Sequence, residues 1–232
     1  MEPVYRTKPI QGVLGSRRRR RADFFLSKVS VAPGMSILDV GCGPDGRSLE
    51  DFLPDDYRIV GIDIIPGDTV ETDHPNFTYY EQDASDLSRF GDKEFDLAFS
   101  IGMMEHICDH SLLTRMASGI DRVAEQYVIM VPWRWAWIEP HFKLPFFQFY
   151  PRPLQNALTR AFNLHGLRRN VTEDPQYIAE HYQWLPSREW ERIFAGSRVH
   201  VCPTLETIAI VRSSKDSPGA GPRRSGESGM GS

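Results

Sequence analysis

Short apolar runs alternate with stretches of helical periodicity along most of the chain. Met35 to Val40 is an apolar run closed by a glycine-rich turn, and the segment after the turn places Leu49, Phe52 and Leu53 at helical spacing. Arg58 to Ile62, Phe77 to Tyr80, Phe95 to Ile101 and Tyr127 to Val131 read as four further strands. Between the last two, Leu112, Leu113, Met116, Ile120 and Val123 repeat with the period of an amphipathic helix. Strands alternating with helices predict a doubly wound, mostly parallel sheet. Arg198 to Val201 and Thr204 to Val211 lie too close together for a crossover, so they form an antiparallel pair or a tight turn. Ahead of the first strand, residues 1 to 15 read as an irregular lead-in. Ser16 is positioned to cap a helix running to about Val29, which Pro33 and Gly34 stop.

Two segments break the rhythm. Residues 133 to 185 are rich in aromatics and prolines without strand alternation, and read as a cap inserted before the last two strands. Residues 213 to 232 are mostly Ser, Gly, Pro, Lys and Arg, too polar to bury a core, and read as a disordered tail. Residues 1 to 212 are then one domain, an expectation that the length of 232 residues supports.

Composition narrows the classes. The formal net charge of -4 argues against bulk affinity for nucleic acid, and Arg17 to Arg21 read as a solvated helix face. Cys42, Cys108 and Cys202 have neither disulfide nor zinc-ligand spacing, so no metal ligands are assigned and a reducing, cytoplasmic setting is expected. No apolar stretch reaches the roughly 18 to 20 residues of a membrane-spanning helix.

The chemistry begins at ILDVGCGPDG, residues 37 to 46, where Gly41, Gly43 and Gly46 form a G-x-G-x-x-G directly after a predicted strand. That pattern serves both dinucleotides and S-adenosylmethionine (SAM), because glycines let backbone approach a ligand. Asp39 would repel a pyrophosphate but attract the ammonium and sulfonium of SAM, and Pro44 removes an N–H that a phosphate would use. Both features favour SAM over a nicotinamide cofactor.

LDVGCGP resembles the first motif of class I SAM-dependent methyltransferases of the type 11, ubiquinone-biosynthesis-like group, and the resemblance spans roughly residues 30 to 140. It continues at GIDI, at EQDASDL and at FDLAFSIGMMEHI, the last with Ala98 where the group has valine. The resemblance implies a Rossmann-like seven-stranded sheet with six strands parallel and one antiparallel. It implies cofactor contacts from Asp39, Gly41, Cys42 and Gly43, from Asp63 and Ile64 at the ribose, from Asp83 and Ala84 at the adenine, and from Ser100.

Methyl transfer requires a nucleophile aligned with the S–CH3 bond and, for a hydroxyl, a destination for its proton. The loop after the fourth strand offers His106 as the general base, with Glu105 to orient it. WRWAWIEPHFKLPFF, residues 133 to 147, offers His141 as a competing base beside Glu139, and is similar to an I-E-P-H-x-x-L-P segment of a bacterial subset of these enzymes. Its aromatics suit a small-molecule or lipid-like acceptor, and Trp133, Trp135, Trp137, Phe146 and Phe147 leave peripheral membrane contact open. The tetrapeptide with which base-amine methyltransferases polarise an exocyclic nitrogen is missing, which again argues against nucleic acid. O-methylation is the first expectation. C- or N-methylation and a catalytically silent SAM-fold subunit are the alternatives, and nothing in the sequence fixes the oligomeric state.

Overall fold

The computed structural model describes residues 13–44, 53, 56–72 and 74–213, with the backbone alone for 13–18. The expected helix after the glycine turn, Gly46 itself and the tail from 214 onward lie outside the described residues.

Seven strands form one sheet in the order β3-β2-β1-β4-β5-β7-β6. These are β1 (Ser36–Val40), β2 (Arg58–Asp63), β3 (Phe77–Glu81), β4 (Phe95–Ile101), β5 (Ala124–Pro132), β6 (Arg198–Val201) and β7 (Thr207–Arg212). All neighbours from β3 to β5 pair parallel, and β7 runs antiparallel to both β5 and β6. Six strands therefore share one direction and β7 opposes them. The central strands are buried on both faces, which is why Ile37, Leu38, Val40 and Phe95 to Ile101 read as near-continuous apolar runs.

Helix α1 (Val13–Leu26) covers one face, burying Ala22 and Phe25 against Ile37, Ile59, Leu97 and Phe99. It starts before Ser16 and ends well before Pro33, so Ser16 is an interior residue and not the expected cap. Its C-terminal limit is set by burial of Phe25 and Val29, after which the chain must turn into β1. On the other face, α2 (His110–Val123) buries Leu113, Met116, Ala117, Ile120 and Val123. Asp109 caps it, accepting from the N–H groups of Ser111 at 2.8 Å and Leu112 at 3.2 Å. The last strand begins at Thr207, later than the expected Thr204, because Cys202 to Glu206 is spent on the reversal, with Leu205 at φ 57°.

Between β5 and β6 the chain leaves the sheet. It forms α3 (Arg152–Phe162), α4 (Arg168–Glu173) and α5 (Tyr177–His181), then α6 (Ser187–Ile193), which returns Trp190 and Ile193 to the main core. The excursion has a core of its own, Phe142, Phe147, Val171, Ile178, Tyr182 and Trp184, with Phe142 and Phe147 stacked at 4.0 Å. A separate core makes it a cap able to sit over the carboxyl edge of the sheet.

Candidate active site

Because β1, β2, β4 and β5 run parallel, their carboxyl ends open on one edge, the edge where α/β sheets bind ligands. At the end of β1, Gly41 and Gly43 have φ of +77° and +69°, a conformation that side-chain-bearing residues resist. The N–H groups of Gly41 and Cys42 both donate to the Ile62 carbonyl, fastening the turn to β2. Asp63, the last residue of β2, accepts from the Gly43 N–H through Oδ2 at 3.0 Å and from the Ile64 N–H through Oδ1 at 2.7 Å. Ile64 beside it is 73% exposed. Asp83 is exposed and holds its own turn by accepting from the Ser85 N–H at 2.8 Å, with Ala84 buried behind it. Asp39 and Cys42 are buried, and the buried Ser100 hydroxyl has no hydrogen-bond partner among the described residues.

The second group of residues lies at the ends of β4 and β5. Glu105 and His106 sit in the short turn Met104–His106. The cap clamps that turn: the Gln183 N–H donates to the Glu105 carbonyl at 2.9 Å, and the His106 Nδ1–H to the His181 carbonyl at 2.9 Å. His106 thereby keeps its lone pair on Nε2. The expected orienting role of Glu105 toward His106 is not what the fold builds, since the Glu105 carboxylate instead approaches His141 Nε2, at 3.6 Å. The backbone bond to His181 already fixes His106, so Glu105 is left to face the imidazole arriving from the cap.

His141 is fixed from behind. Its Nδ1 lies 2.9 Å from Glu139 Oε1, and that buried carboxylate also accepts from the Phe142 N–H at 2.6 Å and the Trp184 Nε1–H at 3.1 Å. Tyr182 stands edge-on to both imidazoles, at 4.7 Å from the His106 ring and 5.3 Å from the His141 ring. Burial pushes the Glu105 carboxyl up to about 7 against the pull of His141. Burial also holds His106 below the usual imidazole range. For His141 burial acts the same way, but the hydrogen bond and charge of Glu139, with Glu105, outweigh it and raise the pKa. A cavity of about 330 Å³ opens beside this group, lined by Tyr182, Trp184, Cys108, Gln148, Arg134 and Arg152.

Sequence reasoning named Glu105, His106 and His141, and the fold brings all three together. It gave no role to Glu139, Tyr182, His181 or Trp184. Tyr182, His181 and Trp184 belong to a segment with no periodic signal and reach the site from about 75 residues away along the chain. Only the carboxylate of Glu139, two residues from His141, could have been suspected.

Residues 38–126 match the family model described as a methyltransferase domain. That stretch is similar to a methyltransferase domain. No curated protein matches the chain. Among solved structures, a possible exported protein from Bordetella parapertussis is similar at a TM-score of 0.56 and 16% identity, with 84% of this chain and 66% of that one covered. A candidate O-methyltransferase from Nostoc punctiforme is similar at 0.52 and 12% identity, over 86% of this chain and 56% of that one. A SAM-dependent methyltransferase from Aquifex aeolicus is similar at 0.45 and 15% identity, over 84% of this chain and 90% of that one. The chain thus spans somewhat less than two thirds of the first two relatives, which share its fold.

The residues at the β1 and β2 ends fit SAM, the cofactor that the sequence resemblance implies. A Cβ at Gly43 would meet no atom of the described residues within 4 Å, which is compatible with backbone presenting itself to a ligand there. The donor set there is carboxylates, exposed aliphatic surface and backbone, which suits a cationic nucleoside with free ribose hydroxyls and does not suit a pyrophosphate. Among the described residues, no helix is long and apolar enough to cross a membrane.

Proposed function

We propose that the chain transfers the methyl group of SAM to a hydroxyl oxygen of a small or lipid-linked acceptor held between the cap and the β4 and β5 ends. The observation that carries this reading is the Glu105, His106 and His141 group, half-buried at the carboxyl edge and braced by Glu139 and His181. A hydroxyl needs its proton removed as the C–O bond forms, and such a group meets that need. A carbon or amine acceptor that is already nucleophilic does not require it.

Asp39, the glycine turn, Asp63 with Ile64, Asp83 with Ala84, and Ser100 hold the cofactor. Asp63 takes the ribose hydroxyls through the carboxylate that now accepts from Gly43 and Ile64. When bound, the cofactor supplies an electrophilic methyl and leaves as a neutral thioether. The protein's contribution is to align the acceptor oxygen with that methyl and to exclude water beneath Tyr182 and Trp184. The proton is lost at the imidazole group, where His141 bears positive charge better than His106, because two carboxylates face it. Arg134 and Arg152 in the cavity wall suit an acceptor that carries negative charge. The exposed rings of Trp135, Trp137, Phe146 and Phe149 on the loop bearing His141 support a lipid-like one.

The test is a screen of hydroxylated metabolites and lipid extracts with methyl-labelled SAM, followed by His141→Ala on the acceptor found. We expect turnover to fall roughly 100-fold or more, with S-adenosylhomocysteine affinity unchanged. A labelled product methylated at carbon or nitrogen, or full turnover by both His141→Ala and His106→Ala, would overturn the reading.

A further inference from the structure

Three side chains of the site carry a feature that acid-base chemistry alone does not call for. Donor atoms of Glu105, His106 and His141 all lie within 4.8 Å of one another. Each imidazole has its other nitrogen engaged: His106 Nδ1–H with the His181 carbonyl at 2.9 Å, and His141 Nδ1 with Glu139 Oε1 at 2.9 Å. Both rings therefore turn an Nε2 lone pair toward the same space. Glu105 adds a carboxylate whose Oε2 is buried with no hydrogen-bond partner among the described residues.

We propose that Glu105, His106 and His141 form a binding site for one first-row divalent transition ion, of which zinc is the representative. Metal-ligating histidines characteristically donate their second N–H to a carboxylate or a backbone carbonyl, which fixes ring orientation and tautomer. Both devices are present here, one for each ring. Bonds of about 2.0 to 2.2 Å to imidazole nitrogen and carboxylate oxygen bring ligand atoms to about 3.4 Å from one another. The 3.6 Å between His141 Nε2 and Glu105 Oε1 is already near that spacing. All three donor atoms lie within 4.8 Å, so the remaining separations shorten when an ion binds. Three protein ligands leave a coordination position open, as in catalytic zinc sites, and two imidazoles with one carboxylate suit zinc, iron, cobalt or nickel better than calcium.

The inference departs from the sequence, which assigned no metal ligands; its chemical role rests on the proposed O-methylation, and with an ion bound the proton no longer goes to an imidazole. A hydroxyl on the open position is acidified by the ion and released as an alkoxide or phenolate, its proton passing to water. The two imidazoles then act as ligands, and Glu139 and the His181 carbonyl as their positioning groups.

The experiment uses the full chain stripped with a chelator and titrated with Co²⁺ and with Zn²⁺, Co²⁺ being read by its visible absorption and Zn²⁺ by calorimetry. We expect one ion per chain and cobalt bands that appear on binding. His106→Ala and His141→Ala should each weaken Zn²⁺ at least 100-fold, and Glu139→Gln roughly 10- to 100-fold. His110→Ala, which alters a surface histidine paired with Glu189, should change nothing. S-adenosylhomocysteine affinity, measured on every variant, reports the fold, since its site lies at β1 and β2. Absence of cobalt bands in a wild type that binds S-adenosylhomocysteine would overturn the inference, as would Zn²⁺ affinity equal in the wild type and the His106→Ala/His141→Ala double variant. Loss of turnover in His141→Ala without any metal binding would leave the proposed function standing and remove the ion. Tight Zn²⁺ binding by a chain that binds no S-adenosylhomocysteine would do the reverse.

Discussion

Replacing Gly41 with alanine tests the turn that joins the cofactor end of the site to the acceptor end. A Cβ there would stand 2.8 Å from Met103 Cγ and 2.9 Å from Met103 Cβ. The Cβ cannot swing away, so the β4 loop or the turn itself must move, and overpacking of this kind costs about 1 to 3 kcal/mol. The positive φ of +77° adds about 1 to 2 kcal/mol for any residue with a side chain. Gly43 supplies the control, because it shares the positive φ but a methyl added there would meet nothing within 4 Å among the described residues. Gly41→Ala should therefore lose about 3 kcal/mol and Gly43→Ala about 1 kcal/mol, or about 6 to 12 °C and 2 to 4 °C in Tm. Since Met103 leads directly into Glu105 and His106, Gly41→Ala should also lower turnover. Differential scanning calorimetry of the two variants, and of Gly41→Ala with Met103→Gly, measures the clash separately from the strain. Equal losses at both glycines, or no recovery on removing the Met103 side chain, would refute the reasoning.

Three other outcomes are expected. Phe142→Ala, which removes a buried ring stacked on Phe147, should loosen the cap and lower turnover while leaving S-adenosylhomocysteine affinity intact, and calorimetry with a turnover assay would show the split. Hydrogen bonds from Ser111 and Leu112 hold the Asp109 carboxyl below its usual range, so its stabilisation of α2 is present above about pH 4 and is lost as pH falls through the lower folded value. Asp109→Asn should thus reduce Tm at pH 7 and leave a smaller difference from the wild type at pH 3. Burial raises the Cys108 thiol pKa, against an opposing pull from Arg152, so iodoacetamide should alkylate it more slowly than a free thiol at pH 8, followed by mass spectrometry. Alkylation as fast as that of free cysteine would mean the cavity wall is open.

The sheet was legible because its strands carry their own signal. β4 spans the predicted Phe95 to Ile101, alternation with helices pointed to the parallel part of the sheet, and the close spacing of the last two runs to the antiparallel pair β6 and β7, while the seven strands with one reversed were what the resemblance implied. Boundaries set by tertiary packing were less legible. The start of α1 ahead of Ser16 is one, and the late start of β7, after a reversal through the left-handed Leu205, is another. In the site, residue types located Glu105, His106 and His141 but misassigned their partners. Which carboxylate meets which imidazole depends on how the cap folds back, and the bonds from His181 and Gln183 to the β4 loop have no local pattern to announce them.

The central claim, that the turn and Asp63 bind SAM, is tested most directly by calorimetric titration of S-adenosylhomocysteine into the wild type and Asp63→Ala. Removing a carboxylate from two ribose hydroxyls costs about 1.5 to 3 kcal/mol, or about a 10- to 150-fold weaker Kd. The account predicts saturable one-to-one binding by the wild type, that loss in the variant, and no comparable binding of NADH. Equal affinity in both proteins, or NADH binding more tightly than S-adenosylhomocysteine, would contradict it.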